Sequence, residues 1–278
     1  MGGLGNQLFQ YAAGIYSQKF LSKNPKYFYG IGEIPTNTNR EFMLGDLLRG
    51  NEIKHLGRRK YILLIVFTKL KLPVWVQEKN ESDFPIERVT RKTRILIGYF
   101  QKRIYVEPVA TEILAAMSTS SLFNKVVSAP TKSDIAVHIR LGDYASDPTA
   151  RHAHGLSEMT YFVDAVRVLQ SKRDYDNIVI YSDEAQTAYA EFVNVFGTSS
   201  IPITVSSGTN EYEDLAGISS SKGIVISNST FSWWAAWIGT HLRNSTVIAP
   251  RPWFSKPSAA DEHLLLESWI VLDREIQS

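Results

Sequence analysis

From Asp134 onward the amino-acid sequence predicts an α/β fold built on a parallel sheet, and three observations carry that prediction. Short apolar runs at 135–140, 178–182, 203–205, 223–227 and 246–249 alternate with longer amphipathic stretches at 158–172, 185–196, 211–221 and 231–241. That alternation is the pattern of a parallel sheet covered on both faces. Within 158–172, Met159, Phe162, Val163, Val166 and Leu169 recur at spacings of three and four, behind an expected N-cap at Ser157, so one helix face is apolar. The polar, proline-bearing segment 128–133 precedes the first strand. It marks a boundary between a domain over 1–130 and a second over 131–278.

Length and composition agree with two domains. At about 150 residues per domain, 278 residues suffice for a pair, and 44% apolar against 21% charged residues provides for a sizeable core. Disordered and fibrous classes are thereby excluded. The net charge of +2, from 30 basic and 28 acidic residues, creates no overall field for nucleic acid. With no cysteine in the chain, disulfides, thiolate metal sites and a cysteine nucleophile drop out, and a reducing compartment suits it.

The longest purely apolar run, 61–67, falls far short of the roughly 20 residues that span a bilayer. The opening MGGLGNQLFQ lacks the basic and apolar regions of a signal peptide, and Asn6 stands where a myristoylation signal needs Ser or Thr. The expectation is a cytoplasmic protein. Its basic-flanked stretch 58–71 reads either as a buried helix of the N-terminal half or as a peripheral contact with the inner face of a membrane.

Ligands of a parallel sheet bind at the C-terminal ends of its strands, and two motifs fall there. In IAVHIRLGD (135–143), strand alternation puts Ile135, Val137 and Ile139 on one face and His138 with Arg140 on the other. An arginine fork matches two phosphate oxygens, and Gly142 admits close backbone approach. The competing reading pairs Arg140 with Asp143 as a buried ion pair. In IVISNSTFSWWAAW (224–237) an apolar strand runs through Ser227, Asn228, Ser229 and Thr230 into a helix. Hydroxyls and free N–H groups at a helix start form an anion site suited to a diphosphate, or serve as a plain N-cap.

Other segments carry weaker signals. Asp214 or its neighbour Glu213, on the helix before this strand, could accept two parallel N–H bonds from guanine, or serve the helix dipole. Gly2, Gly3 and Gly5 form a turn presenting Asn6 at a helix start, without the spacing of a P-loop or a dinucleotide fingerprint. Asp174-Tyr175-Asp176 resembles a metal-holding DxD element but precedes a strand, at the edge away from ligands. His152 and His154 form an HxH without an obvious third ligand, in the loop after the Arg140 strand, where a lid could lie. Trp233, Trp234 and Trp237 read as helix-face packing.

Taken together, GGLGNQLFQYA (2–12), GYFQ (98–101), VHIRLGDY (137–144), HGLSEMTYF (154–162), IVIYSDE (178–184), EYEDL (211–215), SNSTFSWWAAWIG (227–239) and VIAPRPWF (247–254) resemble glycosyltransferase family 11. These are α1,2-fucosyltransferases that use GDP-fucose. The resemblance implies a GT-B-like architecture, two Rossmann-type domains with parallel sheets facing across a cleft. It implies catalytic roles for Arg140 on the diphosphate, Asn6 at the reaction centre and His138 beside the base. Donor contacts are implied at Gly3, Gly5, Asp143, His154, Asp214, Asn228, Ser229, Thr230 and Phe231. No metal or cofactor is implied; the partners are GDP-fucose and a β-galactoside glycan, not nucleic acid.

Two departures stand out. Leu141 replaces the second arginine usual in the family's HxRRGD, so weaker donor binding is expected. The chain also opens at the glycine turn, where relatives have a leading strand; the expectation is an N-terminal sheet without that strand, or a fragment. The implied reaction is inverting fucosyl transfer to the 2-hydroxyl of a terminal β-galactoside. Its alternatives are a different acceptor, such as a protein hydroxyl, and an inactive GDP-sugar binder. Glu33 and Asp46 are candidates for the base.

Overall fold

The computed structural model describes residues 2–21, 27–29, 42–48, 53–55, 75–77, 83–89, 95–142, 155, 157–255 and 259–275. The stretch 58–71, Glu33, Asp143, His152 and His154 lie outside them, as does the Asp46 side chain. The chain divides into two compact units, Met1–Ser121 and Leu122–Ser278.

In the N-terminal unit, α1 (Leu4–Leu21) buries Leu4, Leu8, Phe9, Tyr11 and Ala12, apolar positions at helical spacing. Strands β1 (Tyr27–Tyr29) and β2 (Ile53–His55) form one parallel pair. A second parallel pair joins β3 (Trp75–Gln77) and β4 (Ile95–Ile97). Helices α2 (Arg103–Val106) and α3 (Ala110–Thr119) follow and bury Tyr105, Val106, Ile113 and Met117. Among the described residues these strands form two two-stranded parallel sheets. With three residues per strand, each pair offers a short ladder.

The C-terminal unit begins with α4 (Asn124–Ser128) and alternates regularly. Its elements are β5 (Lys132–Ile139), α5 (Met159–Gln170), β6 (Asn177–Ser182), α6 (Ala185–Phe196), β7 (Ile203–Val205), α7 (Glu211–Ser220), β8 (Ser221–Val225), α8 (Thr230–Arg243), β9 (Thr246–Arg251), α9 (Ala259–Leu264) and β10 (Ile270–Asp273). All six strands pair in parallel, in the order β10-β9-β8-β5-β6-β7. This is the doubly wound order, with the first strand at the centre. Ile135, Val137 and Ile139 join Phe162, Val166 and Leu169 of α5 and Phe192 of α6 in one buried cluster. Burying each such side chain contributes about 1.5–3 kcal/mol.

Three details differ from expectation. Ser157 does not cap α5: Glu158 occupies the cap position without a side-chain bond, and the Ser157 hydroxyl accepts from Arg274 Nη1 at 3.2 Å. α9 and β10 extend the series beyond the last expected strand. The segment 122–130 belongs to the C-terminal unit, because buried Arg243 donates through Nη2 to the carbonyls of Val126, Val127 and Ala129 at 2.9, 3.2 and 2.8 Å. Phe123 also meets Tyr212 edge-on at 5.2 Å.

Candidate active site

β5 and β8 are neighbours, yet the chain leaves β5 toward β6 on one side and β8 toward β9 on the other. Such a divergence opens a crevice beyond the C-terminal ends of the two strands, where doubly wound sheets bind ligands. Arg140 follows the last residue of β5, and Ser227 to Thr230 follow β8. His138 ties the two strand ends together. Its Nδ1 lies 2.9 Å from Ser227 Oγ, and its ring centre lies 5.5 Å from that of Phe231.

His138 is only 6% exposed. Burial first, and the Arg140 cation second, push its pKa down to about 3 against a weaker opposing pull from Asp183. It is therefore neutral at physiological pH, able to hydrogen-bond but not to supply a cation. The positive charge at the strand end belongs to Arg140, whose Nε lies 3.2 Å from Asp183 Oδ2.

Asp183 organises the whole turn. Ile139 pairs with Ser182 across β5 and β6, so the residue after β6 arrives beside the residue after β5. The Asp183 carboxylate accepts from the N–H groups of Leu141 at 3.0 Å and Gly142 at 3.1 Å. Burial raises its pKa, but the Leu141 N–H, the Arg140 charge and the Gly142 N–H outweigh burial and hold it below the ordinary value. A Cβ at position 142 would stand 2.6 Å from Asp183 Oδ2, so a larger residue there would displace the carboxylate from its bonds. Leu141 turns its side chain into the apolar cluster beneath. Asp183, missed as a site residue although IVIYSDE was singled out, is the ion-pair partner seen for Arg140.

At the start of α8, Ser229 is the cap residue, but its side chain bonds no amide. The first intrahelical bond runs from Trp233 N to Ser229 O at 2.9 Å. The N–H groups of Thr230, Phe231 and Ser232 thus have no partner within the helix, which leaves the positive end of its dipole for an anion. The buried Asn228 amide donates to Trp253 O at 3.1 Å and Gly155 O at 3.4 Å. Arg274 donates to the same two carbonyls at 3.2 and 3.0 Å. Asn228 and Arg274 thus brace the loop against its neighbours.

Asp214 lies at the start of α7, with Oδ1 accepting from Ser206 Oγ at 2.8 Å. Burial and the nearby Glu211 and Glu213 raise its pKa, against the Ser206 bond. Glu213 is exposed and accepts from Thr209 N and Oγ1, both at 2.9 Å. The cap of α7 is Asn210, which accepts from Tyr212 and Glu213 N. Of the two acids, Asp214 is the one turned inward.

In the N-terminal unit, Gly3 stands before α1 and Gly5 is buried within it. Asn6 Oδ1 accepts from Gln101 Nε2 at 2.8 Å. Gln7 Nε2 donates to Gly2 O at 2.9 Å while its Oε1 accepts from Met43 N at 2.8 Å, and Gln10 Nε2 donates to Gly98 O at 2.9 Å. The GGLGNQ and GYFQ segments are thus one hydrogen-bonded assembly.

The remaining motifs are structural. Asp176 N donates to Ser133 O before β6 begins, at the edge opposite the ligand ends. Trp233, Trp234 and Trp237 are fully buried and meet edge-on at 5.2 Å in both successive pairs, the packing expected of them. Among the described residues no three His, Asp or Glu side chains gather as a metal site, and no helix is long and apolar enough to cross a membrane.

Comparison with known proteins gives three findings. The model of glycosyl transferase family 11 matches residues 89–273. The chain is 27% identical over 306 residues to the O-antigen biosynthesis glycosyltransferase WbnK of Escherichia coli, covering 98% of each, and 26% identical over 290 residues to an alpha-1,2-colitosyltransferase of Escherichia coli, covering 98% of this chain and 97% of the other. A solved structure of POFUT1 in complex with GDP aligns over 92% of this chain and 96% of its own, at 12% identity and a TM-score of 0.43, a likeness too loose to bear on function.

Proposed function

This chain belongs to glycosyl transferase family 11 and is a glycosyltransferase, and from that premise we propose that it transfers L-fucose from GDP-β-L-fucose to the 2-hydroxyl of a terminal β-galactoside, with inversion. The observation that carries the reading is the His138–Ser227 and His138–Phe231 contact, which sets the Arg140 strand end beside the unsatisfied start of α8. Two sources of positive potential on one crevice suit a departing diphosphate. Arg140 presents its charge from one side, and the N–H groups of Thr230 and Phe231 from the other. Asp214 reads the guanine edge in this proposal. With these groups neutralising the leaving group, no divalent metal takes part.

Preorganised donors of this kind contribute roughly 3–4 kcal/mol each to the transition state. Replacing Arg140 by Ala therefore lowers turnover about a hundredfold to a thousandfold. The test is release of GDP from GDP-fucose with and without lactose, in EDTA, for the wild type beside Arg140→Ala. Lactose-stimulated release that the substitution abolishes supports the reading. Turnover within threefold of wild type in Arg140→Ala removes that residue from the mechanism. GDP-colitose in the same assay separates the fucosyl donor from the donor named for the colitosyltransferase relative.

A further inference from the structure

The GYFQ segment lies in the N-terminal unit, and its geometry gives it a part there. Phe100 has a φ of 56°, a left-handed conformation that bulky side chains rarely adopt. Its ring is nevertheless buried with Ala13, Ile86 and Tyr105. That packing holds the turn, and the Gln10 bond to Gly98 O ties its other end to α1. Gln101 is thereby set against Asn6.

The two side-chain amides meet in one sense, with Gln101 Nε2 donating to Asn6 Oδ1. The Asn6 Nδ2 group has no hydrogen-bond partner among the described residues. The Asn6 side chain lies over Gly2, where an added Cβ would come within 2.1 Å of its Nδ2, 2.7 Å of its Cβ and 2.8 Å of its Cγ, so glycine makes room for the whole side chain, and its sense is set by the bond from Gln101. Which end of Asn6 projects is decided by the partner, because an amide offers a donor at one end and an acceptor at the other.

We infer that Gln101 is a positioning residue that holds Asn6 by its oxygen, so that the Asn6 Nδ2–H donors face the reaction centre. The inference rests on the reading that Asn6 serves that centre. An N–H donor stabilises charge developing on oxygen, whereas an inverted amide would present a carbonyl and oppose it.

The discriminating variant is Gln101→Glu. Its carboxylate can only accept, so Asn6 must turn over, donate Nδ2–H to it and project Oδ1. A protonated glutamic acid donates again and restores the original sense. Activity relative to wild type should therefore fall about a hundredfold at pH 8 and recover at least tenfold toward pH 5, as the new carboxyl, with an ordinary pKa near 4.3, begins to protonate. GDP affinity should stay within a factor of two, because the substitution leaves Arg140 and the start of α8 unchanged. Gln101→Met, which can neither donate nor accept there, should lose turnover without recovery. The Asn6 side-chain amide resonance, identified by its loss in Asn6→Asp, should move with pH in Gln101→Glu but not in the wild type.

A relative activity that is flat with pH, or within threefold of wild type at pH 8, overturns the inference, as does an unmoved amide resonance. A wild type that fails to turn over any GDP-sugar counts against the transfer reading alone, because the resonance reports the amide's orientation without a donor.

Discussion

In the C-terminal unit, Arg140, Asp183 and the start of α8 are placed by sheet geometry: strand register brings Ile139 opposite Ser182, and chain direction carries each strand's next residue to the same edge. In the N-terminal unit, Asn6, Gln7, Gln10 and Gln101 are held by side-chain amides that reach the backbone or one another across long stretches of chain. The first arrangement depends on a buried sheet that forms as a whole. The second depends on single hydrogen bonds, each worth only about 0.5–1.5 kcal/mol net. A site of the first kind resists local substitution away from its charged groups, whereas one of the second kind is sensitive to individual amides.

Attacking the sheet's support should have the largest effect on stability. Phe162 is buried between α5 and the sheet, and Phe162→Ala should destabilise the fold by about 3–5 kcal/mol, measured by urea unfolding. A change below about 1 kcal/mol would mean that the strand ends do not rely on this core.

The next effect follows from His138. Its pKa is about 3 when folded and near 6.5 when unfolded. Between those values the unfolded chain binds more protons, so stability rises with pH, is complete above about 6.5 and is lost as pH falls toward 3. At pH 5 the loss is about 2 kcal/mol. Urea titrations at pH 7.5 and 5 should show it in the wild type, and His138→Gln should remove most of the difference. An equal drop in both proteins would contradict the burial of a neutral histidine.

The smallest effect belongs to the N-terminal unit. Gln10→Ala, which removes the bond to Gly98 O, should cost about 1 kcal/mol of stability. Unchanged stability in urea unfolding would show that this bond contributes nothing net.

The same contrast governs what the sequence discloses. The strands and helices between Asp134 and Ala249 are legible because each strand carries an apolar run and each major helix has a periodic face, whereas α9 and β10 are not. His138 and Arg140 could be placed together from alternation alone. The role of Asp183 was not legible, since it depends on β6 lying beside β5 in a particular register. Ser157 has the composition of a cap, but Arg274, more than a hundred positions away, takes its hydroxyl. The bonds of the Asn228 amide to Gly155 and Trp253 were likewise invisible, since those residues lie 73 and 25 positions away. In the N-terminal unit no periodic signal joins Gln101 to Asn6, and β1 to β4 are too short for alternation to register.

The central claim is that the crevice between β5 and β8 binds the diphosphate of a GDP-sugar through Arg140 and the start of α8. Calorimetric titration of GDP into the wild type and Arg140→Ala, both in EDTA, tests it most directly. The account predicts binding by the wild type without metal and at least a tenfold loss in the variant, the effect of removing one charged hydrogen-bonding partner worth about 1.5–3 kcal/mol. Equal affinity in the two proteins would contradict it.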